Sequence, residues 1–198
     1  VDHTGELVDG DELLYIIAAA RHREEGVPGV VGTLMTNLGM EHALKQAGIA
    51  FVRARVGDRY VMEMLQKHGW ELGGEGSGHL ICLDSTTTGD GIISALQVLR
   101  AMVEQDKGLH DLKSGMMKYP QILINVQLPG KVDVMALSSV QDALREAESL
   151  LADAGRVLLR PSGTEPVVRV MVEGEDARQV NQVAEQVAAA VRSAVESA

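Results

Sequence analysis

The sequence predicts an α/β protein in which a layered α/β domain, at about 11–118, is followed by a small α+β domain at about 119–198. In the first part, short apolar runs alternate with helical patterns. In the second part the order becomes β-α-β-β-α, which predicts an antiparallel sheet covered on one face by two helices. Pro120 and the loop before it are the expected hinge between these domains.

The first domain is expected to contain a parallel βαβ unit. Apolar runs at 30–35 and 49–56 predict buried strands, and 39–48 between them predicts a helix closed by Gly48. Short connections of this kind favour parallel strands joined right-handedly. Around this unit we expect a helix from Asp11, a helix over 58–69, two β segments and a long helix, the last three at 70–74, 79–84 and 90–105.

The second domain begins with a predicted strand at 122–128. A helix capped by serine follows and ends at Gly155, and strands at 156–160 and 167–173 form a pair. The last helix, from Glu175, has valines at a helical spacing, which predicts one buried stripe; they are Val180, Val183, Val187, Val191 and Val195.

Composition excludes several classes of protein. The chain has 198 residues, 45% of them hydrophobic, and a formal net charge of -10, which argues against nucleic acid as a partner. Only 3% of residues are aromatic, so a base-stacking surface is not expected. Cys82 is the single cysteine and no apolar stretch approaches the length of a membrane span, so we expect a soluble cytoplasmic protein without a membrane partner.

The first residues, "VDHTGELVDGD", predict that the chain is part of a longer protein. They contain neither an initiator methionine nor a signal pattern, and they resemble one half of a hairpin. We therefore expect further domains to precede Val1.

The seven residues "RPSGTEP", at 160–166, lie between two predicted strands and have the composition of an anion-binding loop. Arginine forks, hydroxyls and a glycine that lets the backbone approach closely suit a phosphate group. The residues concerned are Arg160, Ser162, Gly163, Thr164 and Arg169. Composition alone leaves an anion site and an ordinary polar turn equally open, because serine, glycine and proline are common in turns.

A second glycine-rich corner, "GGEGSGH" at 73–79, has side chains that suit a sugar. Glu75 can accept hydrogen bonds from neighbouring hydroxyls, Ser77 can donate or accept, and His79 can also carry a proton near neutral pH. The alternative is a hairpin turn with Glu75 in water and His79 opening the next strand. Neither corner has the acidic or His/Cys spacing of a tight metal site.

Weaker candidates have structural alternatives. Asp58 and Arg59 could present ligand groups at the end of a strand, although Asp58 would also serve as a helix N-cap. The "STTTGDG" and "DGD" segments, at 85–91 and 9–11, are expected to be helix entries. His42 and Cys82 are expected to be packing residues.

Both corners, together with "TTTGDGI" and "GTLMTNLGMEHALKQAGI...VGDRYVMEML", resemble the α-D-phosphohexomutase superfamily, in particular its bacterial phosphoglucosamine mutase branch. The resemblance covers essentially the whole chain. It implies the tail of the second of four domains at 1–10, an α/β/α third domain at 11–118 that binds sugar, and a TBP-like fourth domain at 119–198 that binds phosphate.

The resemblance also implies a reaction. Members interconvert glucosamine 6-phosphate and glucosamine 1-phosphate, on the route to UDP-N-acetylglucosamine and the cell wall. They use a phosphoserine, Mg²⁺ held by an Asp-rich loop, and a 1,6-bisphosphate of glucose or glucosamine as intermediate and activator. The serine loop and the metal loop are not in this sequence. We therefore expect no metal ligand and no mutase activity in these residues alone, and the missing N-terminal domains are the expected partner.

Site residues follow from the same resemblance. Sugar-contacting positions fall on Glu75, Ser77 and His79, with Asp58 and Arg59 in a loop linked to sugar choice, and His79 could assist proton transfer. The positions that grip the non-transferring phosphate fall on Arg160, Ser162, Gly163, Thr164 and Arg169. Two alternatives remain open, namely phosphoglucomutase or phosphomannomutase specificity, and a module that binds phosphosugars without turning them over.

Overall fold

The computed structural model describes residues 1–130, 132–162 and 165–196. The chain divides into two compact units, Val1–Lys118 and Tyr119–Ala198, and each has a hydrophobic core of its own. Within the described ranges, every helix is too short or too polar to cross a membrane.

The first unit is built on a mixed sheet with the strand order β2-β1-β3-β4. Its strands are β1 (Gly29–Thr33), β2 (Ala50–Ala54), β3 (Leu72–Gly74) and β4 (Leu80–Cys82). β1 pairs in parallel with both β2 and β3, whereas β4 runs antiparallel to β3. The predicted parallel strand–helix–strand unit is confirmed.

Helices cover both faces of this sheet. They are α1 (Gly10–Glu24), α2 (Leu38–Gln46), α3 (Asp58–His68), α4 (Gly91–Gln105) and the short α5 (Leu109–Lys113), which the sequence pattern did not predict. Neighbouring residues of β1 point to opposite faces. Val30 packs with Leu14, Met40 and Val98 from α1, α2 and α4, and Val31 packs with Val61 of α3. The α/β/α layering is confirmed.

Aspartates fix two of the helix starts. The Asp9 side chain accepts a hydrogen bond from the Glu12 backbone N–H at 3.1 Å, and the Glu12 carboxylate accepts one from the Asp9 N–H at 3.0 Å, which is a capping box. Asp90 caps α4 by accepting hydrogen bonds from the backbone N–H groups of Ile92 and Ile93. The prediction that "DGD" and "STTTGDG" are helix entries is confirmed.

The predicted capping role of Asp58 is wrong. Gly57 holds the N-cap position with φ 122°, and Asp58 is the first residue of α3. A positive φ of this size is open to glycine and costly for other residues, so the chain turns one residue earlier than the pattern suggested. The Asp58 carboxylate accepts instead from the backbone N–H of Arg59 at 2.8 Å.

Residues 1–8 are held to α5 by Asp2, whose side chain is buried. The Asp2 carboxylate accepts from the Thr4 hydroxyl at 2.6 Å, from the Thr4 N–H at 2.9 Å and from the Glu6 N–H at 3.1 Å, and the Lys113 ammonium lies 3.3 Å away. The hydrogen bond from the Thr4 hydroxyl, helped by His110 and the two backbone bonds, holds the pKa of Asp2 well below its usual range against the opposing effect of burial.

The second unit is a three-stranded sheet in the order β5-β7-β6, with both pairings antiparallel. The strands are β5 (Gln121–Gln127), β6 (Gly155–Pro161) and β7 (Val167–Gly174), and the helices are α6 (Ser138–Leu151) and α7 (Ala177–Glu196). The predicted β-α-β-β-α order is confirmed. The valine stripe of α7 is buried against alternate residues of β7, namely Val168, Val170 and Val172.

The predicted ends of α6 are wrong. Leu137 holds the N-cap position without a side-chain hydrogen bond, so no serine caps the helix. The helix ends at Leu151 because Ala152 adopts a positive φ of 45°, and a short 3-10 turn over Ala152–Ala154 leads directly into β6 at Gly155.

Candidate functional site

In the first unit, candidate residues gather at the carboxyl ends of the parallel strands. The segments 34–37, 55–57 and 75–79 follow β1, β2 and β3, and parallel strands end at the same edge of a sheet. From β1 the chain continues to β2 on one side and then to β3 on the other. In open α/β sheets, ligands bind in the crevice at such a switch point.

The corner at 75–79 is a hairpin turn between β3 and β4. The Gly78 N–H donates to the Glu75 carbonyl at 2.9 Å, and the Glu75 N–H donates to the His79 carbonyl at 3.1 Å. Ser77 and His79 are exposed at the turn. The imidazole of His79 packs directly on Gly89, where a Cβ atom would overlap the ring. The turn thus presents a hydroxyl and an imidazole at the surface.

The Glu75 side chain does not lie in water, as the alternative of an ordinary hairpin turn predicted. Its side chain is half-buried, and Oε1 accepts a hydrogen bond from the Gly57 backbone N–H at 2.9 Å. The carboxylate therefore joins the corner after β3 to the loop after β2. A carboxylate held in this way keeps further acceptor capacity, which is the property that a sugar hydroxyl requires.

The start of α1 supports the same corner, which the sequence pattern does not indicate. The Gly10 N–H donates to the Gly76 carbonyl at 3.0 Å, and a Cβ at Gly10 would lie 2.8 Å from the Gly78 Cα. One residue later, the buried Asp11 carboxylate accepts from the Asn37 N–H at 2.8 Å. Both hydrogen bonds join segments that are far apart in the chain, and a single sequence carries no local signal for them.

Asp58 and Arg59 lie beside this arrangement. Both are exposed, and the Arg59 Nε pairs with Glu63 Oε1 at 3.0 Å along α3. The bond between Gly57 and Glu75 brings the start of α3 next to the corner at 75–79. His42 is half-buried on α2, and Cys82 is buried, with burial raising the pKa of its thiol.

In the second unit, Arg160 and Arg169 lie directly opposite each other across β6 and β7. Paired residues in an antiparallel ladder share a face of the sheet, and like charges in this position repel. Arg160 Nε is buried and has no hydrogen-bond partner within the described residues. The Arg169 Nη2 lies 3.3 Å from the exposed Glu165 Oε2. Two opposed guanidinium groups form a place where an anion would be favourable.

The hairpin beyond these arginines is the predicted phosphate loop. The Ser162 N–H donates to the Val167 carbonyl at 2.9 Å, and Ser162 Oγ accepts from the Glu165 N–H at 3.3 Å. Gly163 and Thr164, the other two loop candidates, lie outside the described residues. Each of the two candidate regions thus sits on a hairpin of its own unit.

One group of potential metal ligands is present in the described part of the chain. Asp2, Glu6 and His110 bring ligand atoms within 4.8 Å of one another. The Lys113 ammonium lies 3.3 Å from Asp2 and 3.0 Å from Glu6, so a cation already neutralises this group. Mg²⁺ prefers oxygen ligands in a regular octahedron, and these residues do not fit it.

Comparison with known families identifies this architecture. The model of "Phosphoglucomutase/phosphomannomutase, alpha/beta/alpha domain III" matches residues 9–119, and that of the C-terminal domain matches residues 123–190. The chain belongs to the phosphoglucomutase/phosphomannomutase family. The resemblance noted from the sequence motifs is confirmed.

The chain is similar to curated phosphoglucosamine mutases. The enzyme of Methylococcus capsulatus is 60% identical over 98% of this chain and 44% of its own length, and that of Nitrosococcus oceani is 61% identical over 95% and 42%. The chain therefore spans less than half the length of these relatives.

Solved structures show the same fold. Aspergillus fumigatus N-acetylphosphoglucosamine mutase, in complex with GlcNAc-6P and magnesium, matches 94% of this chain and 47% of its own with a TM-score of 0.76 and 21% identity. A variant of that enzyme in complex with glucose 1,6-bisphosphate matches 96% and 44% with a TM-score of 0.79 and 19% identity.

Proposed function

We propose that this chain is the substrate-binding part of a phosphoglucosamine mutase, a cytoplasmic enzyme that interconverts glucosamine 6-phosphate and glucosamine 1-phosphate. The observation that carries the proposal is the pair of opposed arginines beside the β6–β7 hairpin, in a chain about 60% identical to curated enzymes of that name. Among the described residues, no carboxylate of the three strands pairs with either arginine, and only the exposed Glu165 contacts Arg169. A phosphosugar supplies the remaining negative charge.

In this proposal the second unit grips the phosphate that is not being transferred. Arg160 and Arg169 contribute charge-assisted hydrogen bonds, and the loop contributes backbone N–H groups and hydroxyls. The loop residues are Ser162, Gly163 and Thr164. Holding one phosphate away from the reaction centre fixes the position of the other, which is an orientation effect.

The first unit reads the sugar. Glu75, tied to the Gly57 N–H, accepts hydrogen bonds from sugar hydroxyls, and Ser77 and His79 complete the contact from the exposed turn. Asp58 and Arg59, at the start of α3, contribute to the choice of sugar. His79 is the candidate for moving a proton, because an imidazole has two ring nitrogens, of which one can donate and the other can accept.

The rest of the enzyme supplies the chemistry. A phosphoserine loop and an Asp-rich loop holding Mg²⁺ belong to N-terminal domains outside these residues, and the sugar turns over as a 1,6-bisphosphate between two half-reactions. Residues 1–10 continue the second domain, 11–118 form the sugar-binding domain and 119–198 the phosphate-binding domain. The 198 residues alone bind substrate and do not isomerise it.

Reconstitution tests this assignment. The 198-residue chain should bind glucosamine 6-phosphate without converting it, and adding the N-terminal portion of a close relative should restore conversion to the 1-phosphate. Conversion by the chain alone contradicts the proposal. Binding without any recovery of activity favours a non-catalytic module, and faster turnover of glucose or mannose phosphates by the reconstituted enzyme favours a different specificity in the same family.

A further inference from the structure

The face of the second sheet that carries Arg160 and Arg169 also carries a third polar residue in the same row. Asn125 of β5 pairs with Arg169 of β7, which pairs with Arg160 of β6. Cross-strand partners share a face, so these side chains are neighbours. Asn125 is exposed, and its amide has no hydrogen-bond partner within the described residues.

A second polar row on the same face contains a carboxylate at its centre, to which the two outer side chains bind. Gln121, Glu173 and Arg156 are paired across the same three strands in the same order. The Gln121 amide donates to Glu173 at 2.9 Å, and the Arg156 guanidinium pairs with the same carboxylate, which is fully buried. An amide and a guanidinium on the outer strands thus converge on one central anion.

The row of Asn125 has the outer amide and the outer guanidinium but an arginine at the centre. This row therefore contains two positive charges and an amide but no carboxylate. The two rows are separated by an apolar row of Leu123, Met171 and Leu158, so the Glu173 carboxylate does not serve both. Asparagine is also a poor strand former, so its place in β5 is not explained by backbone preference.

We propose that Asn125 is a third phosphate-binding side chain, donating its amide N–H to a phosphate oxygen held by Arg160 and Arg169. This inference rests on the proposed function, because it assigns a further contact to the same phosphate. Two guanidinium forks leave some of the phosphate lone pairs unused, and a neutral amide fills one of them without adding a third repelling cation.

The test is a set of binding measurements on the 198-residue chain, by calorimetry, with glucosamine 6-phosphate and glucosamine as probes. Asn125→Ala should weaken binding of the phosphorylated sugar about 3- to 10-fold, as expected for one hydrogen bond, and leave glucosamine unchanged. Asn125→Asp should weaken it about 10-fold or more, because it replaces the donor with a negative charge. Asn181→Ala, at an exposed asparagine of α7, is the matched control and should change neither.

The outcomes separate this inference from the proposed function. If Arg160→Ala weakens binding of glucosamine 6-phosphate and neither Asn125→Ala nor Asn125→Asp does, the role of Asn125 is overturned and phosphate binding by the arginines stands. If none of the three substitutions weakens this binding, phosphate binding by the arginines is itself overturned. If the variants fail to fold, the side-chain amide resonances of Asn125 in the unaltered protein decide. They should shift on adding glucosamine 6-phosphate, and unchanged resonances contradict the inference.

Discussion

Replacing Arg160 by alanine should separate recognition of phosphate from recognition of sugar. Arg160 is half-buried, lies opposite Arg169 and has a buried Nε without a partner in the described part of the chain. A hydrogen bond to a charged group contributes about 1.5–3 kcal/mol. The affinity for glucosamine 6-phosphate should therefore fall about 10- to 150-fold, while that for glucosamine stays within about 2-fold.

The same substitution should not destabilise the unliganded protein through lost charge interactions. Removing one of two opposed arginines relieves repulsion between them, and this gain opposes the loss of packing by the arginine stem. We expect the free energy of unfolding of the ligand-free protein to change by less than about 1 kcal/mol. Stabilisation by added phosphate, seen as a rise in Tm, should be strongly reduced.

Calorimetry with the two sugars and thermal unfolding with and without inorganic phosphate measure these effects. Arg178→Ala is the matched control, because Arg178 is an exposed arginine at the start of α7 on the same unit. This control measures how much the affinity changes when one positive charge is removed elsewhere on the unit. An equal loss of affinity for both sugars, or an equal effect of both substitutions, would refute the reasoning.

Three further substitutions test other contacts. Gly10→Ala should place a Cβ against the backbone of the turn at 75–78, lower stability by about 1–3 kcal/mol in urea unfolding and speed amide exchange at the turn; unchanged exchange would contradict the contact. Glu165→Gln should tighten phosphate binding about two- to five-fold in calorimetry, since the carboxylate competes for Arg169; weaker binding would show that Glu165 assists instead. Asp2→Asn should destabilise the protein at pH 7, because the lowered pKa of Asp2 stabilises the fold above about pH 4 and this contribution is lost as pH falls below that value. The urea midpoints of the unaltered protein and of this variant should therefore move closer together between pH 5 and pH 3, and a constant difference would rule this out.

Much of the fold could be predicted because its signals are local. The valine stripe of α7 and the alternation of apolar runs with helical patterns each depend on the period of one element. Helix ends were less predictable. The start of α3 depends on the positive φ of Gly57, and the end of α6 depends on the positive φ of Ala152, which a sequence pattern does not indicate for alanine.

The candidate site was only partly accessible from sequence for a related reason. The motif residues Glu75 and Arg160 stand out by their type and their glycine-rich surroundings. No local signal marks Gly10, Asp11 and Asn125. Their importance comes from strand register and from contacts between segments that are far apart in the chain. Such contacts exist only once the sheet has formed.

The hydrogen bond between the Gly57 N–H and Glu75 has a consequence for protein engineering. A chimera that receives residues 75–79 from a relative with another sugar preference acquires a new carboxylate but keeps the N–H group of its own residue 57. The orientation of the new carboxylate would then be set by the recipient protein. Exchanging 55–59 together with 75–79 would transfer both the backbone N–H and the carboxylate that accepts from it. We expect only such double chimeras to acquire the sugar preference of the relative.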